Sequence, residues 1–531
     1  MLHTNTAPTD AECDAIHALL ASQTAKLGEL DAEAVRLQDL LNTVNSKRNE
    51  LRDFIDAHTA LVAPMRRVPE EILRLVFLET LPENRGAAMH PSESPLLLSR
   101  VCRYWRDLAL AMPKLWSSIH IVVPPVAHPR AGPVAENLAR WLHRGAAAPL
   151  DASLYLSRHP HIEEAPDMID TQLSPLFAVL LAAASRWRDM KLSLHNFRVS
   201  DEWALSELQA HDVPQLRRMD LSPVRDVQLP FLATPSLRHL TTEGRVPLFP
   251  ENIAWHNLVS LDIQVTMQET AIALPFPFLP HCVSLESLAV SMDRGRPLIP
   301  QDAAGFALPR LTTLNIGVFE RGVDVSPAIA IINAPILHTA LIAQDLTASK
   351  ILQHIGHIRH LMLSIEDMST DMLAAALRLV PALERLQLNG EPKQHAGSPM
   401  KDDEYLTRVL PDLDSTLCPA LRRLEITNVR CMSDALVVRL LRARTVDLPS
   451  ESGITRLTEF RGHFLRTPGL DVPLDIPAAL ADCPYLKLRI VKQDAWQSVG
   501  PRWEYSTLEG TERDPTFAQR PLSSEEWWGM P

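Results

Sequence analysis

Two histidine-rich stretches hold the side chains best suited to metal or acid–base chemistry. "HIGHIRH" sets His354, His357 and His360 three apart, and "RHPHIEE" gathers His159, His161, Glu163 and Glu164. Imidazoles and carboxylates bind zinc when three or four of them converge on one point. In a strand register His360 faces outward while His354 lies ahead of the strand, so these imidazoles are expected to stay apart as surface histidines, with no metal and no cofactor. The sequence contains no G-x-x-x-x-G-K-[ST], no G-x-G-x-x-G, no G-x-S-x-G and no H-E-x-x-H. The expectation is a non-catalytic chain with no catalytic residues.

The cysteines point the same way. Six in a chain of 531 residues, with no C-x-x-C pair, suit a reducing compartment rather than a disulfide framework. Cys282, Cys418 and Cys483 each stand three residues ahead of a leucine in a recurring pattern, so recurrence at one structural position favours core packing over nucleophilic chemistry, and the Cys418 and Cys431 pair is read likewise. A hydrophobic content of 46% in so long a chain predicts several modules or a repeat array. A net charge of -12 and a pI near 5.9 exclude a whole-chain attraction to nucleic acid or to an anionic membrane. "MLHTNTAPTDAECD" lacks the pattern of a secretory signal, and "LFAVLLAAA" (Leu176 to Ala184) is too short to span a bilayer. The reading is a soluble, intracellular chain, cytoplasmic or nuclear, without a nucleic-acid or membrane partner.

Residues that touch nothing reactive must then be organised for contact. From Ile16 to Ile55, apolar residues recur in alternating steps of four and three, with only Gln23 and Arg48 polar on the seam. Such a period predicts a helix of roughly 60 Å that needs a partner helix, either a second copy in a homodimer or this chain's own modules. The boundaries read as an unstructured start over 1–11 and a heptad-patterned helix over 12–60.

"MRRVPEEILRLVF" follows. Pro69 fits the first helical position, Glu70 and Glu71 sit at the positive end of the helix dipole, and Ile72, Leu73, Val76 and Phe77 form one apolar face. After the loop "LPENRGAAMHPSESP", the stretch "LLLSRVCRYWRDLALAM" predicts one second helix carrying Leu98, Val101, Cys102, Trp105 and Leu108, stopped by Pro113 and followed by Leu115 and Trp116. Two short helices and a Leu-Trp end are too small for a private core and must dock on something.

"VPEEILRLVF", then "VCRYWRDLA", then "LW", together resemble the F-box, the adaptor-binding module of cullin-based ubiquitin ligases, and the heptads with "IDAHTALVAPMRRVPEEIL" resemble the expanded F-box family of mushroom-forming fungi. The likeness covers roughly Leu51 to Ile121. Val68 stands where Leu is usual, Glu70 where many relatives have a second Pro, and the loop between the helices is long. The resemblance implies that Pro69, Ile72, Leu73, Val76, Phe77, Val101, Cys102, Trp105, Leu115 and Trp116 contact a Skp-type adaptor or support the surface that does, within an F-box over 61–116.

Beyond Trp116, "SSIHIVV", "VAENLARWLHRG", "LDASLYL", "SPLFAVLLAAASRW" and "MKLSL" alternate strand and helix, with "VVPPVAHPRAGP" as a Pro-rich connection. The pattern L-x-x-L-x-L then recurs from Leu216, Leu237, Leu258, Leu285, Leu311, Ile358, Leu383 and Leu421, with a weaker copy at Leu337. Most starts are 21 to 27 residues apart, the spacing of a strand and a return segment in a leucine-rich repeat. The fold class is therefore mixed α and α/β: a long N-terminal helix, a small helical F-box, and an irregular leucine-rich-repeat-like βα solenoid over 117–491. In each strand two apolar residues point into the core and the alternating ones point out. The outward set supplies the target-binding candidates: Arg218, Asp220, His239, Asp262, Asn315, His360, Arg385, Gln387, Arg423 and Glu425. The segment 492–531 reads as irregular, and its Trp527 and Trp528 beside acids suit a short docking motif, a cap on the last repeat or a disordered end.

Together these readings imply a non-catalytic substrate receptor of an SCF-type ubiquitin ligase, holding the adaptor, and through it a cullin, at the F-box and an unidentified target protein on the repeats. The alternative is a non-degradative interaction scaffold, dimeric through its heptads.

Overall fold

The computed structural model describes residues 7–494 apart from 63, 124–132, 157–165, 194–203, 225–227, 246–248, 267–270, 293–295, 299–303, 319–323, 344–347, 366–367, 369, 391–416, 431–433, 449–452 and 467–473. His159, His161, Glu163, Glu164, Cys431, Trp527, Trp528 and most of the Pro-rich connection lie outside the described residues. The chain divides into two compact units, Met1–Val76 and Phe77–Pro531.

In the first unit, α1 spans Asp10–Leu61, 52 residues. Its start is fixed by a capping box in which Thr9 and Glu12 satisfy each other's exposed backbone donors. The helix ends at Leu61, where the Val62 amide donates to the Thr59 carbonyl, two residues ahead of Pro64. The side chains described along α1 are exposed except for Cys13 and Asn45, which are half-buried. A short 3-10 turn, Pro64–Arg67, leads to α2, Glu70–Glu79. Pro69 stands one residue before the helix, and its carbonyl accepts from the amides of Ile72 and Leu73 at 3.1 Å.

The second unit carries the remainder of that segment. The stretch expected as one helix is two: α3, Leu98–Val101, and α4, Arg103–Leu110. The break is at Cys102, whose backbone is extended and whose Sγ accepts the Trp105 amide, so it caps α4 instead of continuing α3. The Arg106 guanidinium then donates to the Ser99 carbonyl at 2.8 Å and holds the two turns together. The preceding loop is tightly organised. Arg85 and Glu93 pair at 2.7 Å with most of both side chains buried, and Glu93 also accepts the Ala88 amide. Gly86 lies so close to Ile119 that a Cβ there would come within 2.4 Å of backbone, which explains a residue without one.

Among the described residues, fourteen parallel strands form one sheet in strict chain order. They are β1 (Ser118–Val123), β2 (Leu150–Leu156), β3 (Trp187–Ser193), β4 (Arg218–Val224), β5 (His239–Gly244), β6 (Ser260–Val265), β7 (Ser287–Met292), β8 (Thr313–Val318), β9 (Thr339–Ile342), β10 (His360–Ser364), β11 (Arg385–Asn389), β12 (Arg423–Arg430), β13 (Glu459–Arg466) and β14 (Lys487–Asp494). Every copy of the leucine pattern, including the weak one at Leu337, supplies a strand. The first leucine of each copy closes the same turn, its amide donating to the carbonyl three residues back, as Leu216 to Val213, Leu285 to Cys282 and Leu421 to Cys418, each at 3.1 Å. The recurring cysteines occupy that turn, and burial pushes the Cys282 and Cys418 thiols up to about 12. The next leucine of each copy forms a continuous buried row, Met219–Leu240–Leu261–Leu288–Leu314, fixed by the strand register.

Two regions join the sheet without the pattern. β1 to β3 extend it at one end, while at the other β13 carries Phe460 and Gly462 where earlier copies have two large aliphatics. Gly462 leaves room for Phe464, whose ring would meet a Cβ at 2.6 Å. β14 continues through Asp494, so Lys492 to Asp494 belong to the sheet rather than to the tail. Parallel strands require crossover segments. Here they are 3-10 turns in the early copies, such as Pro230–Ala233, and helices later, such as Thr370–Arg378 and Asp434–Ala443. Among the described residues no helix is long and apolar enough to cross a membrane.

Candidate functional site

The helical segment sorts its predicted residues by accessibility. In α2, Leu73 is 1% exposed, whereas Ile72 and Val76 are 48% and 41% exposed. Leu75, not singled out from sequence, is also open to solvent, and Pro69 is exposed ahead of the helix. The Arg74 and Glu70 side chains pair one turn apart at 2.7 Å beside them. Three apolar residues facing water on so short a helix, Ile72, Leu75 and Val76, are informative because burial is the default for such side chains.

In the second unit Phe77 is fully buried, and its ring packs 4.9 Å from that of half-buried Trp105. Val101 and Cys102 are exposed, and so are Leu97, Tyr104 and Leu110, three residues that helical spacing on a single long helix does not single out. Leu115 and Trp116 take a different role. Both are 0% exposed; Trp116 donates its indole N–H to the Ala109 carbonyl at 2.9 Å and meets Trp141 of α5 (Val134–Arg144) edge-on at 4.9 Å. The Arg144 guanidinium lies over the Trp116 ring at 4.5 Å, where burial lowers its pKa from the ordinary arginine value. The Leu-Trp end is thus a core plug joining α4 to the first strand and helix of the sheet.

The sheet register gathers the predicted outward residues into two rows. One runs Arg218–His239–Ser260–Ser287–Thr313–Thr339–His360–Arg385–Arg423–Glu459, and the other Asp220–Thr241–Asp262–Ala289–Asn315–Leu341–Met362–Gln387–Glu425–Arg461. The balance of charge shifts along them: the early strands carry Asp151, Asp189, Asp220 and Asp262 with Lys191 and Arg218, and the last four carry Arg385, Arg423, Arg461, Lys487 and Arg489 with Glu425 and Glu459. Glu459 bridges Arg423 at 3.4 Å and Arg461 at 2.8 Å, while Arg385 and Glu425 approach to 3.9 Å. Burial raises the Glu425 pKa above the usual carboxylate range, against the opposing pull of Arg461 and Arg385.

Gln387 departs from its sequence reading. Leu341, Met362 and Gln387 are 2%, 8% and 1% exposed, so the middle of the second row is closed, and Gln387 is not an accessible contact. Among the described residues neither end of its amide has a hydrogen-bond partner. An unpaired buried amide destabilises the fold. Gln387→Met, of similar length and matched to its apolar neighbours, is therefore expected to raise stability by about 1 kcal/mol in a denaturant titration, and a loss of stability would contradict the unpaired state.

His360 gives the face a pH dependence. Burial first, then His338 and Arg385, hold its imidazole below the ordinary range, while Glu384 opposes them. The unfolded chain takes up this proton near pH 6.5 and the folded chain at lower pH, so below that value the unfolded state binds more protons. Its contribution to stability is full above pH 6.5 and declines as the pH falls toward the folded pKa. Denaturant midpoints for the native chain and His360→Gln at pH 7.5 and 5.5 should show a smaller decline in the variant. His354 ends a separate helix, Ala348–His354, and among the described residues no three His, Cys, Asp or Glu side chains gather as a metal site requires.

No family model and no curated protein matches this chain. Among solved structures, a Bacteroides fragilis protein determined by the Northeast Structural Genomics Consortium is similar at 15% identity and a TM-score of 0.27, over 49% of this chain and 67% of that one.

Proposed function

We propose that this protein is a non-catalytic substrate receptor of an SCF-type ubiquitin ligase. The carrying observation is the ordered set "VPEEIL", "VCRYW" and "LW" resembling an F-box, with Ile72 and Val76 of its first helix open to solvent. Leu73, Phe77, Leu115 and Trp116 take supporting roles in this reading because they are buried, leaving Pro69, Ile72, Val76, Val101 and Cys102 to meet a Skp-type adaptor. The strands that follow form a leucine-rich-repeat-like surface, and the accessible polar residues of its two rows, outside the closed stretch from Leu341 to Gln387, hold a target protein. The chain contributes proximity: holding target and ubiquitin-charged enzyme in one assembly raises their effective concentration, and no residue of the receptor touches the transferring thioester. The cellular site is cytoplasmic or nuclear.

Purified full-length protein mixed with a fungal Skp-type adaptor tests this directly. Capture supports the reading; its absence returns the helical segment to a purely structural role. Ubiquitylation of a captured target in the reconstituted complex then separates a receptor from a non-degradative scaffold.

A further inference from the structure

The feature least accounted for is α1, a 52-residue helix whose apolar seam stays in solvent. Exposure along that seam runs from 40% at Ile16 to 68% at Leu30. The seam is regular enough to assign heptad positions: Leu20, Leu27, Ala34, Leu41, Arg48 and Ile55 fall at a, and Ile16, Gln23, Leu30, Leu37, Val44 and Leu51 at d. A seam of this kind has four candidate occupants: a parallel copy, an antiparallel copy, the chain's own second unit, or a different chain.

The two polar seam residues favour a second copy and decide between its two arrangements. In a parallel pair each layer holds the same residue twice, so Arg48 would face Arg48 of the second copy inside the seam, two like charges where water is being removed. In an antiparallel pair a positions meet d positions. Laid end to end, Ile16 falls opposite Ile55, Leu27 opposite Val44 and Ala34 opposite Leu37, and the only two polar seam residues, Gln23 and Arg48, fall opposite each other. The glutamine carbonyl then accepts from the guanidinium, twice by symmetry. Random placement of two polar residues on twelve seam positions seldom produces that match.

The flanking residues are consistent. An antiparallel pair sets Leu19 beside Phe54 of the second copy, both more than half exposed in the single chain, and so widens the apolar strip. It also sets Lys26 near Lys47, while a parallel pair sets Lys47 near Arg52 and Lys26 near Asp31, so the flanking charges lean toward the parallel arrangement by an amount that is small in water. The layers inside the seam dominate. We infer that this protein forms a homodimer through an antiparallel coiled coil of α1 in which Gln23 of each copy pairs with Arg48 of the other. This stands apart from the adaptor-binding reading and survives its failure. At 1.5 Å per residue the two Leu61 ends of the rod lie about 75 Å apart, whereas a parallel pair brings them together.

The test uses the full chain. Light scattering should give twice the 59.3 kDa chain mass, and the decisive variant is Gln23→Glu. In the antiparallel pair the new carboxylate of each copy forms an ion pair with Arg48 of the other, and the dimer dissociation constant should fall about fivefold at low salt. In a parallel pair it adds a layer of two facing carboxylates to the Arg–Arg layer and the constant rises. An unchanged or raised constant, or a monomeric mass, overturns the inference. Mixing an Ile16→Cys protein with an Ile55→Cys protein, both carrying Cys13→Ser, gives an independent readout. Peptide mapping should find 16 linked to 55; links of 16 to 16 and 55 to 55 overturn the antiparallel arrangement.

Discussion

Full-length protein carrying Ile72→Glu and Val76→Glu is expected to keep its melting temperature and lose capture of a Skp-type adaptor by at least about 100-fold. Both residues lie on α2 and are 48% and 41% exposed, so a charge at either meets water in the free chain and costs within about 0.5 kcal/mol of folding stability. In a complex the same charges would be buried without partners, and truncating or charging a central apolar contact typically costs about 2 kcal/mol or more each. The location matters. Phe77, the next apolar residue of the helix, is 0% exposed, and a charge there would test folding rather than docking. Titration of adaptor onto immobilised native and doubly substituted chain, with circular dichroism as the folding control, gives the result. Equal capture by a folded variant would remove α2 from the docking surface.

Trp116→Ala is expected to destabilise the protein by about 3–5 kcal/mol, a large share of the roughly 5–15 kcal/mol that typically holds a domain together. The indole is fully buried, packs edge-on against Trp141, carries Arg144 over its face and donates to the Ala109 carbonyl. Alanine leaves a cavity among all of these, while Trp116→Phe retains the ring packing and loses the hydrogen bond. The phenylalanine variant should therefore sit well between native and alanine proteins in a denaturant titration. A loss below about 1 kcal/mol for the alanine variant would show that α4 and β1 do not depend on this plug. Read together, the two experiments separate the roles that resemblance joined: Ile72 and Val76 for contact, Trp116 for the frame that presents it.

The sequence by itself determined the elements whose signals are local. The heptads of α1, the short helix over "PEEILRLVF" and the strand in every leucine copy follow from periodicity and turn chemistry within a few residues, and all are present, although α1 starts at Asp10 rather than at 12 and α2 starts one residue after Pro69. The outward rows were legible for the same reason, since alternation within a strand fixes which residue points which way. Only the tertiary structure decided the rest. Cys102 breaks the second helix because its backbone turns extended to cap α4, a choice that helical propensity along "RVCRYW" does not announce. β13, which lacks the leucine pattern and which sequence spacing does not single out as a strand, joins the sheet because strand pairing is settled by neighbours far along the chain. Leu115 and Trp116 became core rather than contact through Trp141, beyond the end of their own segment. Gln387 left the accessible face because Leu341 and Met362, adjacent in space and distant in sequence, close the row beside it. Local spacing sets which way a side chain points; whether it reaches water depends on what the rest of the chain packs around it.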